Sequence, residues 1–561
     1  MREKLRIILL YLSAILIYGI IVSFFTSTVH IDVDEELYLA LAKSFHYQGR
    51  FEYENQLVDY SCVLYSMLIS LAYFFYSPET ILFTMRMIGV ITMCSAVFPV
   101  FFLSKNVLSD EKKAFLISAF VLIMPYMLDS AYLMQEVLSY PLFLWTLYFL
   151  YQTFEKEDNR NKAFPVLAAI FSVLCVFTKT YLFFVPITLN LCSLYCVIKR
   201  KNGKEYILDT VLYDVIYFVS FIGFYFLILV INGFESGSNH YSGQFSNLFP
   251  LDLRTLIFGA IGCVIYFAFF VINTGMFPVS VMFCRQRSEK QKSWMTSFVL
   301  ASIVFLVLEI VFMVVLTEEG KGSLPHKFLF RYFQIFVPIL LIWFLKYSKE
   351  YYLMKSYKFL MAMEAILGIA LLYFLFMEGD TRQAIIDGHL FLVIENLTKY
   401  VMPYTDAFII VFLMLTLFIF YIIFHQKVED MHLFIKTGIA GMIVFWCIEI
   451  IQLPYYSNII AEGKQVENDS VRIAQYLNEN NYESVYYVYG ETQEKNSYLR
   501  NFYGYIRQSY EIIPRTEMKE ALCREDQQKT ALLSPIKFLD DVPKLQQIDL
   551  GNEKLFLYTL R

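Results

Sequence analysis

Four acids fall within five residues, Asp32, Asp34, Glu35 and Glu36, in the stretch HIDVDEELYLALAKSF. A carboxylate waiting where water meets lipid can serve as a general base for a hydroxyl. Further along, single polar residues interrupt apolar runs: Asp129 and Glu136 in LDSAYLMQEVLSYPLFLW, Lys179 in FTKTYLFFVP, and His326, Lys327, Arg331 and Tyr332 in HKFLFRYFQIFVP. A guanidinium or ammonium near the headgroup level suits a phosphate, the guanidinium in bidentate fashion. A base beside phosphate-binding cations is the equipment for moving a group off a phosphate ester onto a hydroxyl. Asp32, Asp34 and His326 also carry atoms that could ligate a divalent cation such as Mg or Mn.

Each residue has a plainer reading. Asp34 can cap a helix whose first turn holds Glu35 and Glu36, acids there being worth about 0.3–1 kcal/mol each against the helix dipole. Leu37, Leu41 and Phe45 then recur at helical spacing, a stripe that can rest on a membrane surface. Glu136 suits the start of a helix, Arg331 and Lys327 can snorkel as interfacial anchors, and Lys179 can be a turn residue. The residue types alone leave both readings open.

The elements that would position these groups are membrane helices. Hydrophobic residues make up 58% of the 561-residue chain and charged ones 17%, and many apolar runs reach the roughly 20 residues that cross a bilayer. We expect about thirteen spans: 7–25, 80–104, 114–130, 137–154, 163–178, 181–198, 207–231, 257–283, 295–316, 332–346, 358–376, 406–425 and 434–452. The apolar segment 61–76 is read as non-spanning. With it excluded and the N-terminus inside, about 23 loop Lys and Arg fall on the inner side and about nine outside, as the positive-inside bias requires. The chain is therefore expected to be N-in and C-out, with the acidic cluster outside. The basic start followed by a long apolar run reads as an uncleaved signal anchor.

Net charge is only −5, so no basic field invites nucleic acid. The nine cysteines show no CxxC or zinc spacing, and most sit inside apolar runs as small core residues. The division expected is a membrane part, 1–455, with a first outer loop over 26–79, and a soluble part, 456–561. In the latter, SVRIAQYLNENNYES and NSYLRNFYGYIRQ read as helices and VYYVYG, TALLSP and KLFLYTL as strands, a small extracytoplasmic α/β domain without GxGxxG or P-loop.

The order of these signals resembles the GT-C superfamily of membrane glycosyltransferases, which includes protein O-mannosyltransferases, oligosaccharyltransferase catalytic subunits and bacterial aminoarabinose transferases. DEELYLALAKSF is similar to its DE-x-x-Y-x-x-x-A pattern after the first helix, QEVLSYPLFLW to the acidic start of its fourth helix, TKTYLFFVP to T-K-x-x-x-L-x-x-P, and FRYFQIFVPILL to R-Y-x-x-x-x-x-P. A WWD-type signature, the mark of oligosaccharyltransferases, is missing from the end of the membrane part. The resemblance implies a sugar donor on a polyprenyl phosphate or diphosphate, an acceptor that is a glycan, lipid or protein, and an inverting transfer in the cell envelope. It implies Asp34 as the base, with Asp32 or Glu35 as partner acid. Lys179, Arg331 and Tyr332 face the donor phosphate, and Glu136 and Asp129 supply a second acid. A bacterial plasma membrane is the setting expected. The rival is a transporter or flippase of lipid-linked sugars, which would carry its charges near the bilayer midplane in broken, repeated helices. Here they gather at outer helix ends.

Overall fold

The computed structural model describes residues 2–23, 33–53, 56–75, 77–155, 161–199, 203–235, 253–273, 294–315, 327–328, 330–353, 385–386, 461–489, 506, 508–514, 530–534, 545–551 and 555–560. The chain opens with α1 (Arg2–Ser23) and α2 (Val33–Gln48), then a short antiparallel ladder, β1 (Glu52–Tyr53) with β2 (Gln56–Leu57). It continues through α3 (Leu64–Ile69), α4 (Pro78–Cys94), α5 (Val97–Leu108), α6 (Glu111–Leu122), α7 (Glu136–Phe154), α8 (Ala163–Val176), α9 (Phe184–Lys199) and α10 (Gly203–Ile231). After these come α11 (Leu253–Asn273), α12 (Trp294–Val315) and α13 (Val337–Leu353). Among the described residues six stretches are long and apolar enough to cross a membrane, and this is a polytopic helical membrane protein. The expected spans 358–376, 406–425 and 434–452 lie outside the described residues.

Local chemistry sets several boundaries. Asp110 caps α6, its Oδ1 accepting the N–H groups of Lys112 and Lys113 at 3.0 and 3.1 Å, which satisfies two donors a helix start leaves open. Pro125 opens a 3-10 stretch, Pro125–Ala131, so the run expected over 114–130 ends as an α-helix at Leu122. The run expected as one span over 80–104 lies in one apolar stretch long enough to cross, Thr80–Leu108, in which a local break in the α-helical pattern at Ser95 and Ala96 separates α4 from α5; there Ser95 Oγ donates to the Thr92 carbonyl at 2.5 Å. The segment 61–76 becomes α3 followed by the 3-10 helix Ser70–Phe74, too short to cross the hydrocarbon.

The helix bearing the acids departs from the sequence reading. It begins at Val33, so Asp34 is a first-turn residue and not the cap. Residues 35–44 are all buried, so α2 is no surface helix resting on a single Leu37–Leu41–Phe45 stripe. It packs against α3 and the 3-10 turn behind it, inside the protein. By contrast α10 exposes Phe218, Val219, Ile222 and Phe226, the outward apolar face that lipid would cover.

Near the C-terminus, α14 (Ala461–Glu479) precedes a five-stranded sheet in the order β6 (Ser509–Pro514), β5 (Ser484–Tyr489), β7 (Thr530–Ser534), β9 (Phe556–Leu560), β8 (Leu545–Ile548). β5 is parallel to β6 and β7, while β9 is antiparallel to β7 and β8. α14 is tied to the sheet by Asp469, whose Oδ2 accepts the Leu555 N–H at 3.1 Å. The strands read from VYYVYG, TALLSP and KLFLYTL are β5, β7 and β9. β6 and β8 were not anticipated, and most of the helix expected over NSYLRNFYGYIRQ lies outside the described residues.

Candidate functional site

Three consecutive acids on a helix point about 100° apart, and those of α2 go three ways. Glu35 turns inward, its Oε1 accepting the backbone N–H of Leu133 at 2.7 Å. Glu36 accepts from the Tyr53 hydroxyl at 3.2 Å. Asp34 faces a cation: its Oδ2 lies 3.7 Å from Arg331 Nη2, with 46% of the side chain exposed.

The centre of the constellation is Glu136, at the first residue of α7, where the positive helix end favours an acid. Its side chain is 1% exposed, and its Oε1 sits 3.1 Å from Lys179 Nζ and 3.4 Å from Arg331 Nε. One buried oxygen thus stands between two cations. Lys179 follows the end of α8 in extended backbone, its N–H held by the Cys175 carbonyl at 2.8 Å. That places the ammonium between the end of α8 and the 3-10 turn Thr180–Phe183. Burial alone would push this ammonium down, but Glu136 and then Tyr332 hold it above the ordinary lysine value. Arg331 enters from a 3-10 turn, Phe330–Tyr332; with Gln334–Phe336 this turn delays the start of α13 to Val337.

Tyrosines wall the cations. The Tyr38 hydroxyl accepts from Lys179 Nζ at 3.4 Å, and Nζ lies 5.9 Å from the Tyr38 ring and 6.0 Å from that of Tyr332. The Arg331 guanidinium is 5.7 Å from the Tyr332 ring, which packs at 4.7 Å on Tyr181. Such cation–ring contacts fix the heads of long side chains without consuming their hydrogen-bond donors.

The structure therefore joins Asp34, Glu136, Lys179, Arg331 and Tyr332, all singled out in the sequence. They meet at one end of the bundle, although 297 residues separate Asp34 from Arg331. Tyr38 and Tyr181 were missed. Tyr38 stands four residues after Asp34, on the same helix face, which was the available signal. Asp129 lies in the 3-10 turn before α7, its carbonyl accepting the Tyr132 N–H at 3.0 Å. Asp32 and His326 lie outside the described residues, and Lys327 is described only as backbone pairing with Ile385 in the ladder β3 (Lys327–Phe328) with β4 (Ile385–Ile386).

Exposure rises across the cluster from Glu136 at 1% through Lys179 at 12% and Arg331 at 21% to Asp34 at 46%. The closed end is a fixed counter-charge and the open end offers a guanidinium edge beside a carboxylate. An anion can enter at the cations while Asp34 faces what lies next to it. Of the expected metal ligands Asp32, Asp34 and His326, only Asp34 is described, and among the described residues no three His, Cys, Asp or Glu side chains converge as ligands. The carboxylates of Asp34 and Glu136 are also matched to positive charges that would repel a metal ion.

No protein-family model matches the chain, and no curated protein matches it. Among solved structures it is similar to ArnT from Cupriavidus metallidurans. Against that protein bound to undecaprenyl phosphate the likeness covers 98% of this chain and 97% of the other, at TM-score 0.53 and 13% identity. Against its apo state the coverage is the same, at TM-score 0.52 and 12% identity. The likeness is one of fold: the chain shares the fold of ArnT over nearly its whole length.

Proposed function

We propose that this membrane protein is a GT-C glycosyltransferase that moves a sugar from a polyprenyl-phosphate-linked donor to a hydroxyl on a glycan, lipid or protein. The observation that carries the reading is the ion-pair constellation, two cations sharing one buried carboxylate oxygen with a half-exposed carboxylate beside them. The cluster balances two cations with two acids, and it opens at one end, where a guanidinium and a half-exposed carboxylate stand within reach of a ligand.

In this reading Lys179 and Arg331 hold the donor phosphate, and Tyr38 and Tyr332 keep their heads in place. Asp34 takes the proton of the acceptor hydroxyl as its oxygen bonds to the anomeric carbon. The bond from that carbon to the phosphate oxygen breaks, and the electron pair leaves on the phosphate, where the two cations stabilise the growing charge. One base and no covalent nucleophile make an inverting transfer. Glu136 is too enclosed to reach an acceptor and serves as the fixed counter-ion. Glu35 anchors α2 to the chain before α7. The charge bias of the loops supports an N-in, C-out topology with the site on the outer side of a bacterial plasma membrane, and with 456–561 as an outer domain.

The test is a comparison of envelope glycans. The gene is deleted and complemented with wild type or with Asp34→Asn, after checking that the variant is made and inserted. Loss of one sugar in the deletion, restored by wild type and not by Asp34→Asn, is the expected result. Full restoration by Asp34→Asn would remove Asp34 as the base and bring the transporter reading forward.

A further inference from the structure

Arg331 serves two carboxylates with different parts of its fork. Its Nε faces Glu136 at 3.4 Å, on the closed side, and its Nη2 faces Asp34 at 3.7 Å, on the open side. Glu136 is fixed at the head of α7 and 1% exposed, whereas Asp34 is 46% exposed. Both contacts are longer than an N–H···O hydrogen bond, which runs to about 3.2 Å, and the Asp34 contact is the longer. It is the weaker and more accessible of the two.

An anion arriving from the open side meets the Nη edge, the edge that Asp34 occupies. A phosphate there forms short charge-assisted hydrogen bonds, which a carboxylate at 3.7 Å does not. While Oδ2 faces Arg331, the Asp34 side chain is held to the cation's side and that oxygen is turned from an acceptor hydroxyl. We infer that the donor phosphate displaces Asp34 from Arg331, so that the base is released only after the donor has bound. Donor binds first, acceptor second, and Glu136 keeps Arg331 in place through the exchange. This rests on the reading of the site as one for a lipid-linked phosphate.

The experiment measures binding of a polyprenyl monophosphate, with polyprenol of equal length as control, to the full chain in nanodiscs. If Asp34 competes for Arg331, Asp34→Asn binds the lipid phosphate about two- to five-fold tighter than wild type, the scale of a partly exposed ion pair. In an Arg331→Ala background, or Arg331→Gln if that folds better, the same Asp34→Asn change leaves affinity unaltered. No tightening in Asp34→Asn overturns the inference. Equal tightening with and without Arg331 also overturns it, since Asp34 would then act by general repulsion. If wild type prefers the phosphate over polyprenol no more than a Lys179→Ala, Arg331→Ala double variant does, the functional reading itself fails, and the inference with it.

Discussion

Lys43, on the helix that begins with Asp34, donates its ammonium to the backbone carbonyl of Gln508 at 2.5 Å, across 465 residues of chain. The Gln508 side chain donates in turn to Asn478 Oδ1 on α14 at 3.1 Å. Gln508 immediately precedes β6, so α2 is tied directly to the C-terminal sheet.

This tie carries a pH dependence. Burial pushes the Lys43 ammonium down to about 7, whereas a free lysine keeps its proton to about 10.4. Between those values the docked state binds fewer protons than the undocked one. Docking thus strengthens as pH rises through the window and is weakest below about pH 7. Release of the C-terminal segment by limited proteolysis is expected to slow between about pH 6.5 and 9 in wild type, after correction for the protease. Lys43→Met removes the titrating group, and its release rate is expected to stay flat.

Glu136 is expected to be the most stability-sensitive residue of the site. Glu136→Ala leaves the Lys179 and Arg331 charges facing each other with only the half-exposed Asp34 to balance them. Removing one partner of a buried pair costs about 3–5 kcal/mol. Thermal unfolding in detergent checks this, with Glu136→Gln intermediate because it keeps the shape and loses the charge. A loss no larger than that of a surface substitution would mean that the cations have another counter-charge.

The four charged residues were legible because each interrupts or borders an apolar run in which charged side chains are few. Their types and their side of the membrane agreed. Which first-turn acid faces the cations was not legible. Asp34, Glu35 and Glu36 are neighbours of like chemistry, and only the rotation of α2 against Leu133, Tyr53 and Arg331 tells them apart. That rotation is set by long-range packing, as is the burial of residues 35–44, where a one-sided stripe was expected. The break at Ser95 and Ala96 was hidden because apolar composition continues straight through it. β6 and β8 escaped because neither SYEIIP nor LQQI alternates, and their strand state comes from pairing with β5 and β9.

Lys179 gives a prediction of opposite sign to Lys43. Glu136 holds its ammonium above the ordinary value of 10.5 despite burial, so its charge is complete at neutral pH and is lost only as pH climbs past that value. Binding of a polyprenyl phosphate is expected to show no fall attributable to Lys179 between about pH 6 and 9. Lys179→Ala is expected to weaken it at every pH in that range. Lys179→Arg keeps a charge that can pack on the Tyr38 and Tyr332 rings and is expected to restore part of the binding. A binding curve that drops near neutral pH in wild type and is flat in Lys179→Ala would contradict the raised value.

Asp34 and Glu35 make the sharpest contrast, being adjacent acids with opposite expected behaviour. Glu35 accepts a backbone N–H, a task an amide oxygen can perform, so Glu35→Gln is expected to keep the bond to Leu133 and near wild-type transfer. Glu35→Ala orphans that buried donor, at about 1–3 kcal/mol, and lowers stability while leaving the chemistry in the folded fraction. Asp34 is half exposed and bears little packing, so Asp34→Asn is expected to be as stable as wild type. It loses transfer by about a hundred-fold or more, the scale of a missing general base. Measuring melting temperature and transfer rate on the same preparations separates the two roles. If Glu35→Gln abolishes transfer at unchanged stability, the pair has been read the wrong way round. The carboxylate on Leu133 would then have to leave that amide during the reaction.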